Sequence, residues 1–260
     1  MTMTHSNRPP IDYEREMNRS QFEAVSSGAG PILVIAGAGS GKTRTIVYRV
    51  AWLVDHGVDP TSILLLTFTR KASQEMLGRA IRLLDDRVAL VSGGTFHSVG
   101  ASILRKYSRF IDLDASFTIL DQSDSHDALD IARKEILPPI EDLKAFPKPR
   151  TISEIIGRSL GTGNSIQDVI GRRCPHFESF GADIERIREF YEDFKKSHHS
   201  VDYDDLLTRS IELIETNDGV RRDICNKWSH ILVDEYQDTN RLQARMVRLL
   251  ADGHDNVMAV

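Results

Sequence analysis

The sequence predicts an α/β protein in which a parallel sheet is interrupted by a long helical insertion. Three observations carry that reading. Short apolar runs alternate with helical stretches over residues 31–84 and again over 231–260. From about Ser102 to His199 the pattern is mainly helical instead. A glycine-rich turn stands between the first apolar run and the helix that follows it. Alternating strands and helices imply crossover connections, which make neighbouring strands parallel and cover the sheet on both faces.

Taken in order, the elements read as follows. Residues 1–16 are polar, contain Pro9-Pro10, and read as a loose leader. Asn18 can cap a short helix carrying Gln21, Phe22 and Val25. Pro31–Ala36 is short, β-branched and continuously apolar, the mark of a buried strand. A helix is expected from about Lys42 to His56, with Gly57 at its stop. Ile63–Thr67 reads as a second buried strand, Arg70–Leu84 as a helix, and Val88–Val91 as a third strand. Within the insertion, Ser125–Leu137, Ile152–Leu160 and Ile184–Lys196 have helical spacing. Pro138-Pro139, Pro147-Lys148-Pro149 and Gly161-Thr162-Gly163 divide them. Ile231–Val233 is a strand again, Arg241–Ala251 a helix, and Val257–Val260 a last apolar strand. A chain stopping on a buried strand is expected to continue in a longer protein.

Composition narrows the class without choosing a function. The 260 residues suffice for one large domain or two smaller ones, with 40% apolar and 27% charged residues. No apolar run approaches the roughly 20 residues that span a bilayer, and the polar start lacks the apolar centre of a signal peptide. The two cysteines, Cys174 and Cys225, have no paired ligand spacing, so neither a zinc site nor a disulfide framework is expected. A cytoplasmic protein fits these features. The formal net charge of −5 leaves nucleic-acid binding open, because phosphate contacts depend on where the cations lie.

The chemistry is concentrated in two places. Ala36-Gly37-Ala38-Gly39-Ser40-Gly41-Lys42-Thr43 matches a P-loop with alanine in the first position. Small residues let successive N–H groups point into one concavity, and the loop opens onto a helix N-terminus that favours an anion. Lys42 supplies a cation for the β- and γ-phosphates, and the Thr43 hydroxyl can ligate Mg²⁺, so ATP and Mg²⁺ are the expected ligands. The second place is Asp234-Glu235, two acids at the end of an apolar strand, where ligands gather in parallel sheets. Alone they also suit a solvated turn. Beside a P-loop, Asp234 reads as the holder of Mg²⁺ through its water shell and Glu235 as the general base.

These residues resemble a known family. Asp234-Glu235-Tyr236-Gln237-Asp238 is similar to the DExQD motif of UvrD/Rep/PcrA-type superfamily 1 DNA helicases. Asn18-Arg19-Ser20-Gln21 resembles the family's adenine-reading Q motif, and Ala36–Arg44 its AGAGSGKTR. Thr67–Ala72 resembles TFTNKA, Thr95–Ser98 TFHS, and Val201–Leu207 the DFDDL segment. The resemblance covers nearly the whole chain and thins between about residues 110 and 198. It implies a RecA-like P-loop domain with an inserted all-helical subdomain, truncated before the second RecA-like domain. The expected division is 1–104 for the first part of the RecA-like domain, 105–200 for the insertion and 201–260 for the second part.

The resemblance also implies roles. Gln21 would read the adenine edge and Arg44 would stack on the base, while Gln237 either couples phosphate state to movement or simply bonds within its turn. Thr67, Phe68, Thr69, Arg70, His97, Ser98 and Tyr203 would face single-stranded DNA, with Lys71 beside them. Arg70 stands where the family usually has asparagine, and Tyr203 where it has phenylalanine, which puts the detail of both contacts in question. Arg172-Arg173 and Lys195-Lys196 read first as solvated helix faces and second as DNA contacts. The activity implied is ATP-driven 3′→5′ translocation on single-stranded DNA, with unwinding of duplex and junctions. A helicase subunit of a RecB/AddA-like helicase–nuclease and a nucleotide-gated DNA-binding ATPase are the alternatives. A P-loop kinase or small-molecule ATPase has no need of TFTRKA, TFHS and DExQD together. The piece itself is expected to be monomeric and to bind nucleotide without unwinding.

Overall fold

A computed structural model describes residues 10–37, 39–137 and 145–260. The chain forms two compact units. The first takes the residues up to Val99, then Asn217–Thr239 and Val247–Val260; the second takes Gly100–Thr216 and Asn240–Met246.

The first unit opens with helices α1 (Tyr13–Glu16) and α2 (Arg19–Ser26). Strand β1 (Ile32–Leu33), helix α3 (Lys42–Asp55), strand β2 (Ile63–Thr67) and helix α4 (Arg70–Leu83) follow. Strand β3 (Ser92–Thr95) leads into helix α5 (Phe96–Tyr107). The five-stranded sheet has the order β1-β7-β6-β2-β3, where β6 is His230–Val233 and β7 is Val257–Ala259. Every pairing in it is parallel. Ile63, Leu64, Leu65 and Leu66 of β2 are fully buried, as a central strand covered on both faces requires.

Two strand expectations are corrected. β1 is an edge strand of two residues rather than a buried one, and Ile35 just beyond it is 89% exposed. An apolar run reports hydrophobicity, not the sheet position that decides burial. Val88–Val91 is not a strand either: residues Asp86–Leu90 form a 3₁₀ turn, and the strand is the following Ser-Gly-Gly-Thr. That strand is invisible to hydropathy because its neighbours press against its backbone. A Cβ on Gly93 would lie 2.6 Å from Leu77 Cδ1, and one on Gly94 would lie 2.5 Å from Ser98 Oγ.

The second unit is mainly helical. Helices α6 (Gln122–Ile136), α7 (Pro149–Thr162), α8 (Ile166–Arg173) and α9 (Gly181–Ser197) close around Leu129, Ile152, Ile156, Ile170, Ile184 and Ile187. Helix α8 was not separated by sequence periodicity, and Pro138-Pro139 lie outside the described residues. The unit also holds a parallel ribbon of β4 (Thr118–Ile119) and β5 (Ser200–Val201), whose two-residue strands are too short for a periodic signal. Helix α10 (Tyr203–Thr216) follows it. Helices α11 (Asp218–Lys227) and α12 (Arg241–Leu250) flank β6 in the chain.

The structure overturns the reading of Lys195 as a solvated or DNA-facing cation. Its side chain is buried, with Nζ 2.9 Å from Glu192 Oε1, 2.9 Å from Asp202 Oδ2 and 2.7 Å from Asp205 Oδ2. Its neighbour Lys196 is exposed, as expected. More carboxylates gather here than one ammonium neutralises. Burial first, and the charge of Asp202 second, push Asp204 up to about 6. An acid raised in the fold contributes stability that is fully present below its unfolded pKa of about 4 and is lost as pH rises through the folded value. Asp204→Asn is therefore expected to make the protein more stable by about 1–3 kcal/mol near pH 8, with little gain near pH 4. Urea denaturation at the two pH values checks it; an equal shift at both would mean that titration of Asp204 is not the cause.

Candidate functional site

The loop after β1 is shaped by glycines. Gly39 and Gly41 have φ of 77° and 90°, a left-handed backbone that other residues rarely adopt. Gly41 has a second constraint, since a Cβ there would lie 2.7 Å from Gln21 Nε2. Ser40 Oγ donates to Gly37 O at 2.6 Å, which closes the turn. Ala38 lies outside the described residues. The loop runs directly into α3, whose first turn has no side-chain cap and no acid. Its free N–H groups therefore face whatever occupies the loop, and an anion satisfies them.

The acid pair follows β6. The Asp234 N–H continues the ladder to Leu66 O at 3.0 Å, and Glu235 then turns with φ of 51°. A left-handed glutamate is a strained position of the kind that occurs at functional turns. It brings the Glu235 carboxylate to Lys42, with Nζ 3.4 Å from Oε2, and Gln237 Nε2 donates to the same oxygen. The Gln237 bond and then Lys42 hold the Glu235 carboxyl below its ordinary pKa. Asp234 behaves oppositely: burial, and then Glu235, push its pKa up. Its Oδ1 is buried and, among the described residues, has no hydrogen-bond partner.

That orphaned oxygen bears on Mg²⁺. A buried carboxylate oxygen with no donor is costly, and a hydrated divalent cation supplies both charge and donors. Mg²⁺ is commonly held by one or two carboxylates together with substrate phosphates. Asp234 and the Thr43 hydroxyl fit such a site. Among the described residues, no group of three or more His, Cys, Asp or Glu could hold a metal by itself.

On the base side, Asn18 caps α2 in a reciprocal capping box with Gln21. Gln21 Oε1 accepts the Asn18 N–H at 3.2 Å, and Nε2 donates to Ser40 O at 3.0 Å. Arg44 extends from the first turn of α3. Its Nη2 donates to Glu16 O at 2.8 Å and to Tyr48 Oη at 3.1 Å. Sequence reading missed Glu16 and Tyr48 as supports of Arg44. The spacing of Tyr48, four residues on along one helix, is the signal that was available.

The sequence-predicted DNA residues separate into two kinds. Phe68 is 39% exposed and packs edge-on against buried Phe96, at 6.0 Å between ring centroids. Arg70 and Lys71 are exposed in the first turn of α4, where the helix dipole disfavours cations. They do not serve the helix there. Tyr203 is exposed at the start of α10. His97 is half-buried, and burial pushes its pKa down, which favours the neutral ring.

Thr67 is 1% exposed and its hydroxyl donates to Thr69 O at 2.8 Å, so its side chain sets the turn. Thr69 Oγ1 caps α4 by accepting the Ala72 N–H at 3.1 Å. Ser98 Oγ is engaged at the start of α5, accepting the Thr95 N–H and donating to Thr95 O, each at 2.8 Å. Arg172 and Arg173 are exposed in the last turn of α8, where cations suit the dipole.

This fold and this pairing of loop and acids agree with a known family, described as the UvrD/REP helicase N-terminal domain, which matches residues 17–260. The chain belongs to that family. It is similar to the ATP-dependent DNA helicase PcrA of Staphylococcus aureus, with 35% identity over 246 residues, covering 94% of this chain and 33% of that protein. The Staphylococcus epidermidis PcrA is 34% identical over 248 residues, covering 95% of this chain and 33% of that protein. The chain thus spans about a third of the length of these curated relatives. As a UvrD/REP helicase N-terminal domain it has the RecA-like parallel sheet, with Asp234 and Glu235 at the carboxyl end of β6 and Lys42 at the start of α3. Among the described residues, no helix is long and apolar enough to cross a membrane.

Proposed function

We propose that this chain is the ATP-binding front part of an ATP-dependent DNA helicase that moves 3′→5′ on single-stranded DNA and opens duplex, acting in the cytosol. The observation that carries the reading is the meeting of Lys42 and Glu235 beside the orphaned Asp234 Oδ1. The amides of Gly39–Thr43 receive the phosphates, and Lys42 turns from Glu235 to the β- and γ-oxygens. Thr43, and Asp234 through water, would hold Mg²⁺, which would supply charge neutralisation on the phosphates. Losing Lys42 as a partner raises the basicity of Glu235, whose carboxylate then accepts the proton of the attacking water. Gln237 links that base to the turn at Tyr236–Asp238.

Gln21 reads the adenine edge even though both ends of its amide are engaged. An amide has two N–H groups and two lone pairs, so one donor and one acceptor remain for N7 and N6 of the base. Arg44, backed by Tyr48 and Glu16, stacks on the ring. Phe68 and Tyr203 stack on DNA bases, Arg70 and Lys71 meet phosphates, and His97 contributes a neutral ring. The 260-residue chain alone is a monomer that binds nucleotide and grips DNA without unwinding it.

Phe68→Ala is expected to weaken single-stranded DNA binding by about 1–3 kcal/mol, with little sequence preference. Fluorescence anisotropy of a labelled oligonucleotide over a salt series measures it. A helicase of this kind also hydrolyses ATP faster when single-stranded DNA is added, in a chain extended to the relatives' length. Hydrolysis indifferent to DNA would end the motor reading, and an unchanged affinity would remove Phe68 from the DNA path.

A further inference from the structure

Arg49 lies in the middle of α3, is 4% exposed, and among the described residues pairs with no carboxylate. An unpaired buried guanidinium is costly unless its N–H groups are well satisfied. Here they are directed at backbone. Nη1 donates to Val25 O and to Ser27 O, each at 2.6 Å, and Nη2 donates to Gly28 O at 3.3 Å. Among the described residues the Nε–H has no partner, so the carbonyls aim the group.

Those three carbonyls are the exit of α2. A helix leaves its last carbonyls without intrahelical partners and carries partial negative charge at that end, so a cation there answers both needs. At its other end α2 carries Gln21, bonded to Ser40 of the phosphate loop. An eight-residue helix is too short to hold itself in water, so its placement depends on such anchors. Gln21 ties its start to the loop, and Arg49 ties its end to the helix that leaves the loop.

We propose that Arg49 is a positioning residue that clamps the end of α2 onto α3 and thereby holds Gln21 at the distance needed to select adenine over other bases. It touches no nucleotide itself. The proposal rests on the reading of this site as one for ATP, with Gln21 on the base. Its mechanism is geometric: three fixed carbonyl bonds set the height of α2 along α3, and a base-reading amide tolerates little misplacement. A lysine keeps the charge and the stem but presents one nitrogen, which cannot span three carbonyls as a planar fork does.

The test uses the 260-residue chain, with binding of ATP, GTP and inorganic tripolyphosphate measured by competition against a fluorescent ATP analogue. Wild type is expected to prefer ATP to GTP by at least tenfold, roughly the effect of one or two base hydrogen bonds. Arg49→Met is expected to lose about tenfold in that preference, and Arg49→Lys less, while tripolyphosphate binds as in wild type. Rescue should be graded, with lysine nearer wild type than methionine. Wild-type selectivity in both folded variants overturns the proposal and leaves the ATP reading intact. Tripolyphosphate and nucleotide weakened in parallel, or failure of both variants to fold, also overturns it, because Arg49 would then support the whole unit rather than α2. Wild type that binds no nucleotide overturns the ATP reading itself, and the clamp's role with it.

Discussion

Replacing Glu235 with glutamine is expected to lower ATP turnover by roughly 10²–10⁴-fold, the usual contribution of a positioned general base, while nucleotide affinity changes little. The substitution preserves shape and removes the ability to accept a proton. Lys42 Nζ, 3.4 Å from Oε2, loses an ionic partner before the phosphates arrive, so its transfer to them is eased and binding is if anything tighter. Gln237 also donates to this oxygen, and an amide oxygen at 235 still accepts that bond, so the turn stays formed. Single-turnover hydrolysis with radiolabelled ATP, beside equilibrium binding, separates the two effects. Turnover equal to wild type would mean that another group activates the water, and a parallel fall in affinity would mean that Glu235 serves binding instead.

The second large effect is expected at Lys42. Lys42→Ala removes the cation aimed at the β- and γ-phosphates, and a charge-assisted contact of this kind is worth about 1.5–3 kcal/mol, or roughly 10–100-fold in affinity. The loss also reaches Glu235. Lys42 is one of the two groups that hold its carboxyl below the ordinary pKa, so without the lysine the Glu235 pKa moves up. Asp234 is affected in the same direction, because Lys42 offsets part of the rise that burial and Glu235 cause. The variant therefore has a site both less attractive to phosphate and easier to protonate. Its remaining binding of Mg²⁺-free nucleotide should improve as pH falls toward these carboxyls, since their protonation relieves repulsion of the anion. Titration calorimetry at two pH values measures this. Wild-type affinity in the variant would show that the loop amides suffice and that Lys42 belongs to the acid pair alone.

Much of this site was legible because its chemistry is local. A phosphate loop needs small residues, a lysine and a hydroxyl in one unbroken run at a helix start, so Gly39, Gly41, Lys42 and Thr43 could be read directly. Asp234 and Glu235 were legible because an apolar strand ending in two acids is a short pattern as well. The capping box of Asn18 and Gln21 spans four residues and follows the same logic. The boundaries of α3, β2 and α4 came from apolar spacing, with Gly57 marking the stop of α3, and they agree with the structure within a residue.

What sequence reading missed depends on partners distant in the chain. Strand β3 is Ser-Gly-Gly-Thr because Leu77 and Ser98 crowd its backbone, and close approach removes the side chains that would have announced a strand. β1 is exposed because it lies at the sheet edge, a matter of strand order and not of hydropathy. Lys195 resembles any lysine near a helix end until Asp202 and Asp205, from the segment after β5, close on it. That the Thr67 hydroxyl donates to Thr69 O is likewise decided by the turn and not by the motif. Arg49 reads as one cation within an apolar helix until the carbonyls of Val25, Ser27 and Gly28 are seen against it.

The sequence by itself determined the α/β class, the glycine-rich loop before α3, the acid pair after β6 and the family, because each is encoded in contiguous residues whose local physics leaves few alternatives. The tertiary structure alone decided which cations are buried, which glycines are crowded and which hydroxyls are already bonded. It also decided that Lys42, from α3, and Glu235, from the turn after β6, meet. These outcomes depend on atoms brought within a few ångströms from far along the chain, and no local pattern records that distance.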